Sequence, residues 1–396
     1  MIPLATIMQF APLIILYLVC WGILYLVGWK FNLEDRGLTI GPFYLIYRTK
    51  ALNKRLERIS SRARWVWRVL ANMAIAVGLG QMILIVFQLV RNAFYLFFRT
   101  EQAGPVQILI PIPGVSVSWE NFPYFLIALC ILVVTHEAAH AIASLVEGIP
   151  LKSAGLFFAV VIPGAMVEVD DEKMEKSKPS SQLRVFAAGS SANLAVSMIA
   201  LLLMSNFALT ISPFYEIIPS GVQVGGLTRG YPAETSGLRP GDIIQAINSI
   251  KVADLPALRR VMVGVKSGEI VSVETMRGAF EVKTVPDPSN GERSVIGVTQ
   301  LVDYIVYSPR LPIFSPEFPR YLFNMEFWMY FIMVSVSMIN MLPLFPLDGD
   351  KYLHAMLSGL GIRNAKSIRT TVSAFSFAIL ATNIVLSYAI FGFTRL

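Results

Sequence analysis

Three residues in the stretch THEAAHAIA are arranged for metal chemistry, since His136, Glu137 and His140 read His-Glu-x-x-His. Residues four apart share one face of a helix, so both imidazoles can bind a single cation at about 2 Å from each nitrogen. Glu137 lies one step round, beside such a cation rather than on it. Zinc held this way lowers the pKa of a bound water, the glutamate accepts its proton, and the hydroxide so formed can attack a peptide carbonyl. The surroundings sharpen the reading. Glu137 is the one Asp, Glu, Lys or Arg between Pro123 and Val146, in a run apolar enough to cross a bilayer, where an ionisable group costs roughly 2.5–3.5 kcal/mol at the centre. The competing reading is a pair of histidines hydrogen-bonded between helices with Glu137 as their partner.

A catalytic zinc needs a third protein ligand and an open position. With both cysteines, Cys20 and Cys130, inside long apolar runs, histidines and carboxylates must supply it. Asp348 in NMLPLFPLDGD is the best candidate, because two prolines ahead of it break the helix and can aim its carboxylate inward. Glu147 and Asp170 are weaker, and His354 reads as a surface histidine. Counting straight helical rises from Pro123 and from Phe327 leaves Asp348 about 6 Å deeper than His140. Two asparagines, Asn193 and Asn340, also lie in apolar runs. Each can bind the substrate backbone or a developing oxyanion, or bond one helix to another.

The elements that must carry these residues are membrane helices. Of 396 residues, 55% are hydrophobic and 15% charged, which points to a lipid-soluble chain. Apolar spans are expected at 7–28, 69–90, 122–146, 182–207, 323–342 and 368–391, the first retained rather than cleaved as a signal peptide. The formal charge of +7 could suggest nucleic acid, but ten Lys/Arg crowd between Trp29 and Val69, beside apolar spans. This places lipid headgroups, not nucleic acid, as their partners. The positive-inside rule then puts residues 30–68 in the cytosol and both termini outside, with the metal motif toward the cytosolic half.

Residues 212–320 have a different texture. Short alternating runs such as GVQVGGL, DIIQAIN and EIVSVETM, separated by Gly and Pro turns, read as a small β-rich domain, and the span count places it outside the cytosol. Between the third and fourth spans, GLFFAVVIPGAMVEVD reads as a β-hairpin over about 155–169 dipping into the membrane. The expected fold class is an α-helical polytopic membrane protein of about six helices, with this hairpin and an inserted α+β domain. The expected parts are residues 1–120 with two helices and the basic loop, 121–211 and 306–396 as the membrane core, and 212–305 as the inserted domain.

In these residues the chain resembles the site-2 protease family of intramembrane zinc proteases over about residues 121–360. HEAAH, a Gly-x-x-x-Asn element (Gly189, Asn193) and NMLPLFPLDG occur in the family's order. The resemblance implies one zinc per chain held by His136, His140 and Asp348, Glu137 as general base, and Asn340 near the site. SGVQVGGLTRGYPAETSGLRPGDIIQAINSI is similar to the core of a PDZ domain, which many members carry at this place. Departures occur at Pro163-Gly164, where many bacterial members have Gly-x-Gly, and at Gly189-Ser190, where they have Gly-Pro.

A transmembrane substrate hides its peptide bonds in helical hydrogen bonds, so it must unwind before cleavage. The hairpin, with Val160, Pro163, Gly164 and Val167, is expected to receive the unwound single-span substrate as an added strand. The PDZ-like domain either captures a C-terminus freed by an earlier cut, through a loop near Ser220 and Gly221, or excludes substrates with large outer domains. A catalytically inactive scaffold is the competing function, and the intact Glu137 argues against it. A zinc transporter would need ligands along a continuous path, whereas these gather at one depth.

Overall fold

Proline and glycine punctuation sets the ends of the long helices. The structure is a computed structural model and describes residues 4–41, 43–159, 162–288 and 290–393. Phe122–Val146, the motif helix, opens with Pro123, where a missing N–H costs nothing, and closes two residues before Gly148 at φ +80°. Pro179–Ser205 opens on proline as well, and Phe318–Asn340 stops three residues short of Pro343. Among the described residues, five helices are long and apolar enough to cross a bilayer, the other two being Arg64–Phe97 and Ala365–Phe391. The first expected span, 7–28, falls within the helix Leu4–Lys30, which is 27 residues long. Arg64–Phe97 runs well past the expected 69–90, because its ends carry Arg and aromatic residues that lower hydropathy without breaking a helix.

The chain divides into two compact units, Met1–Met204 with Asn324–Leu396, and Ser205–Phe323. In the first, the strands Leu151–Ala159 and Ile162–Val169 form the antiparallel hairpin. Val160 lies outside the described residues. The hairpin does not stand alone, since Tyr44–Thr49 pairs with Leu151–Ala159 and Leu38–Gly41 pairs with Tyr44–Thr49. The result is a four-stranded antiparallel sheet with Ile162–Val169 at one edge. Beneath it the amphipathic helix Lys50–Arg62 buries Leu56 in a cluster with Ala141 of the motif helix and Ala154 of the sheet.

Arg64–Phe97 and Ala365–Phe391 close the membrane core through polar contacts. Tyr352 donates to the Ile75 carbonyl at 2.8 Å, Asn383 donates to the Leu89 carbonyl at 2.9 Å, and Asn92 donates to Asn383 at 2.9 Å. Such bonds fix helix pairs in a solvent that gives no hydrophobic drive between them, at roughly 0.6 kcal/mol each on average.

In the second unit, five strands stand in the order Gly278–Lys283, Ile270–Thr275, Ile243–Ile247, Tyr215–Gln223, Val302–Pro309. Every second residue points into one core, with Val222, Val224, Ile244, Val271 and Val273 fully buried and Leu258 of the helix Leu255–Val263 among them. Asp242 is buried and held by Arg277 at 2.6 Å, and this hydrogen bond keeps its carboxyl below the usual carboxylate range. The expected carboxylate loop at Ser220 and Gly221 is corrected here. Both lie inside the strand Tyr215–Gln223, where Gly221 donates its N–H to the Ala253 carbonyl at 3.1 Å and Ser220 bonds back to the Ile218 carbonyl.

Candidate metal centre

The motif helix brings His136 and His140 together as a four-residue spacing requires, with their Nε2 atoms 3.0 Å apart. Asp348 arrives from a different direction than a straight helix would give. Phe318–Asn340 ends, residues 341–347 turn back around Pro343 and Pro346, and Asp348 begins the helix Asp348–Gly359. Gly349 makes this turn possible, because a Cβ there would overlap the Met341 and Leu342 carbonyl oxygens. The depth mismatch of the straight count disappears with the turn. Asp348 Oδ2 lies 3.0 Å from His140 Nε2 and 3.2 Å from His136 Nε2.

These three atoms fit zinc. Bonds of 2.0–2.1 Å in a tetrahedron put neighbouring ligand atoms roughly 3.3 Å apart, against edges of 3.0, 3.0 and 3.2 Å. Their chemistry agrees. His140 Nδ1 donates to the Val185 carbonyl at 2.7 Å, so its Nε2 carries a lone pair toward the other two. His140 Nε2 and Asp348 Oδ2, two acceptors 3.0 Å apart, call for a cation between them. Gly189 leaves the room, since a Cβ there would overlap His140 Nε2 and stand 2.6 Å from His136 Cε1. Among the described residues, this triad is the one group of His, Cys, Asp or Glu that could hold a metal ion.

Glu137 stands beside the triangle and lines the same cavity, of about 990 Å³, as the three ligand residues. Its Oε2 accepts the Val167 N–H at 3.1 Å, which ties it to the sheet's edge strand. Asn340 donates to Asp348 Oδ2 at 2.8 Å and lies 3.2 Å from His136 Nε2. Asn193 is fully buried, between Thr135 and His136, with its amide 3.3 Å from His136 Nδ1. Pro163 and Gly164 lie in the edge strand opposite Phe158 and Phe157.

Other candidates fall elsewhere. Glu147 is buried and spent on Arg184 at 3.0 Å, Arg68 at 3.3 Å and Ser181 at 2.5 Å. Burial pushes its carboxyl up, but Ser181 and the two guanidinium groups pull it below the usual range. Asp170 caps the short helix Asp171–Glu175 by accepting the Lys173 N–H. His354 is corrected from a surface residue. It lines the metal cavity with Nδ1 buried and without a partner among the described residues. Sequence reasoning also missed Lys351, whose ammonium lies 3.8 Å from Asp348 Oδ1. Its place three residues after Asp348 was the available signal.

Apolar helices long enough to span a bilayer, enclosing a His-His-carboxylate triangle with a glutamate beside it, define a membrane-embedded metallohydrolase centre. The profile of Peptidase family M50 matches residues 124–382, and the chain belongs to that family. An uncharacterized protein of Methanocaldococcus jannaschii is 27% identical over 85% of this chain and 83% of its own length. A membrane-bound transcription factor site-2 protease homolog of Arabidopsis thaliana is 27% identical over 50% of this chain, which spans 38% of that protein. A relative in Neisseria meningitidis, whose name carries the words zinc metalloprotease, is 25% identical over 44% of each chain. Among solved structures, the PDZ domain of an SdrC-like protein from Listeria monocytogenes is 22% identical over 20% of this chain and 86% of its own, with a TM-score of 0.19.

Proposed function

We propose that this multi-pass membrane protein is an intramembrane zinc endopeptidase that cleaves the transmembrane segments of single-span membrane proteins, after a first cut outside the membrane. The observation that carries this reading is the ligand triangle of His136, His140 and Asp348 with Glu137 at its side, its histidines on an apolar helix and all four residues lining one cavity.

A zinc ion held by these three residues would supply a Lewis acid that lowers the pKa of water to about 7. Glu137 takes the proton from the attacking water and returns it to the amide nitrogen that leaves, so one carboxylate serves both halves of the hydrolysis. Asn340, whose amide already stands beside the ligand atoms, is placed to donate to the substrate carbonyl as charge develops on it. The cavity brings water to a bond otherwise surrounded by lipid.

Substrate presentation falls to the edge strand. In an antiparallel pair, residues alternate between facing the partner and facing away. Val167 donates away from its neighbour strand, to Glu137, so Ala165 shares that outward parity, and so does Pro163, which has no N–H to offer. An unwound substrate segment adds along this edge and is led toward Glu137. The unit Ser205–Phe323 selects substrates from outside the cytosol, by binding a newly freed C-terminus or by excluding bulky outer domains. Binding of a peptide with a free C-terminus, but not of its amide, distinguishes the first from the second.

The decisive experiment combines metal analysis of the purified protein with cleavage of a labelled single-span peptide in vesicles, wild type against Glu137→Gln. The reading expects about one zinc per chain in both and cleavage in the wild type alone. Equal cleavage by the two proteins sinks the assignment of Glu137, and zinc without cleavage by either favours the scaffold.

A further inference from the structure

His136 and His140 are oriented by different means, and the difference points through Asn193 to Thr135, which no motif names. A backbone carbonyl, that of Val185, fixes His140 with its proton on Nδ1. His136 Nδ1 instead faces the side chain of Asn193, which is fully buried and which in turn meets Thr135. A carboxamide turned by 180° exchanges its oxygen and nitrogen without moving its neighbours. Two complete hydrogen-bond orders are therefore open to these three residues.

In one order, Thr135 Oγ1 donates to the Asn193 oxygen at 2.8 Å and the Asn193 nitrogen donates to His136 Nδ1 at 3.3 Å. A neutral His136 then carries its proton on Nε2, 3.2 Å from Asp348 Oδ2, and donates it there, in the space a cation would need. In the other order, the Thr135 hydroxyl donates to the Ile131 carbonyl at 2.9 Å or the Leu132 carbonyl at 3.0 Å. It is then free to accept from the Asn193 amide group, whose oxygen accepts the His136 Nδ1–H. His136 Nε2 now presents a lone pair to the ligand triangle. Between the two orders the His136 proton passes from Nε2 to Nδ1, and no proton is gained or lost.

We propose that Thr135 and Asn193 form a two-state relay that sets the His136 tautomer, closing the metal site with a His136–Asp348 hydrogen bond when empty and opening it when zinc binds. Thr135 and Asn193 are positioning residues in this scheme, since neither touches substrate. Metal binding turns the Asn193 amide and the Thr135 hydroxyl, and an outer partner of this type is worth about 10–100-fold in metal affinity. His140, tied to a backbone carbonyl, has no second state.

The proposal rests on the zinc reading above, and its test separates the two. Zinc affinity is measured by chelator competition on the full chain, together with histidine nitrogen-15 spectra with and without zinc. Asn193→Asp, which can only accept from His136, is expected to bind zinc within a few-fold of wild type, whereas Asn193→Leu loses about 10–100-fold. Thr135→Val weakens binding and Thr135→Ser restores it, which controls for packing. In the spectra, His136 carries its proton on Nε2 without zinc and on Nδ1 with it. Loss of affinity in Asn193→Asp equal to that in Asn193→Leu, or an unchanged Asn193→Leu, overturns the relay while leaving the metal reading intact. A wild-type protein that binds no zinc overturns both.

Discussion

Two carboxylates are buried around the second half of the motif helix, and they are partnered in opposite ways. Glu147, one residue past the helix end, receives donors only, from Arg68, Arg184 and Ser181. Asp348 is met by two imidazole nitrogens at 3.0 and 3.2 Å, with the Asn340 amide its close donor and Lys351 3.8 Å away. Burial of a carboxylate in an apolar protein is therefore no sign of a metal site. The sign is what surrounds it. Where the chain supplies its own cations, the carboxylate locks helices together, and where it sets a further acceptor against the carboxylate, as it does with His140 Nε2, a cation has to come from outside.

Substitutions at the two places should separate metal binding from stability. His140→Ala or Asp348→Ala is expected to lose zinc and all measurable cleavage, while Glu147→Gln keeps its zinc. Metal content of the three purified proteins checks this, and zinc retained in Asp348→Ala would break the contrast at its root. Glu137→Gln lies next in size, with zinc kept and turnover lowered by about 10²–10⁴-fold, the usual contribution of a general base.

A proline at Ala165 tests the sheet edge apart from the metal. Ala165 shares Val167's outward parity, so proline there removes an edge N–H without breaking the ladder to Leu151–Ala159 and without touching Glu137. Cleavage of a single-span substrate should fall about tenfold or more, since an added strand is held by main-chain hydrogen bonds, with zinc content unchanged. Val167→Pro is a blunter tool, because it also strips Glu137 of its 3.1 Å donor. Full cleavage by Ala165→Pro would remove strand addition from the mechanism.

What the sequence disclosed follows from the range of the interactions involved. His136, Glu137 and His140 are legible because a helix makes spacing into geometry, and Asp348 because two prolines announce a break. The route of Asp348 to the site was not legible, since a straight count cannot foresee that residues 341–347 fold back on Met341 and Leu342 through Gly349. The strands Leu38–Gly41 and Tyr44–Thr49 were hidden within a basic segment that charge patterning assigns only to a side of the membrane. Tyr44–Thr49 becomes a strand by pairing with Leu151–Ala159, more than a hundred residues away in sequence, and Leu38–Gly41 by pairing in turn with Tyr44–Thr49. Thr135 and the Val185 carbonyl act through tertiary hydrogen bonds, for which a single sequence offers no pattern. The loop at Ser220 and Gly221 was misplaced for a related reason, because a glycine motif does not tell whether its N–H is already taken by another strand.

The smallest effect belongs to Glu147 and turns on pH. Replacement by glutamine removes a buried charge but keeps a partner for Ser181, so the expected loss is about 1.5–3 kcal/mol at neutral pH, that of a hydrogen bond to a charged group. Ser181, Arg184 and Arg68 together hold the folded-state pKa below 4.5, the value of a free glutamate, against the opposing push of burial. A depressed carboxylate pKa means that the unfolded chain binds more protons in this window. The stabilisation is thus fully present above about pH 5 and is lost as pH falls through the folded value. Thermal unfolding of wild type and Glu147→Gln should differ most near neutrality and converge in acid, the wild type losing its advantage. Asp348 cannot show this dependence in a zinc-loaded protein, where metal replaces the proton as its partner. A gap between wild type and Glu147→Gln that stayed constant into acid would mean that the three donors hold Glu147 by shape rather than by charge.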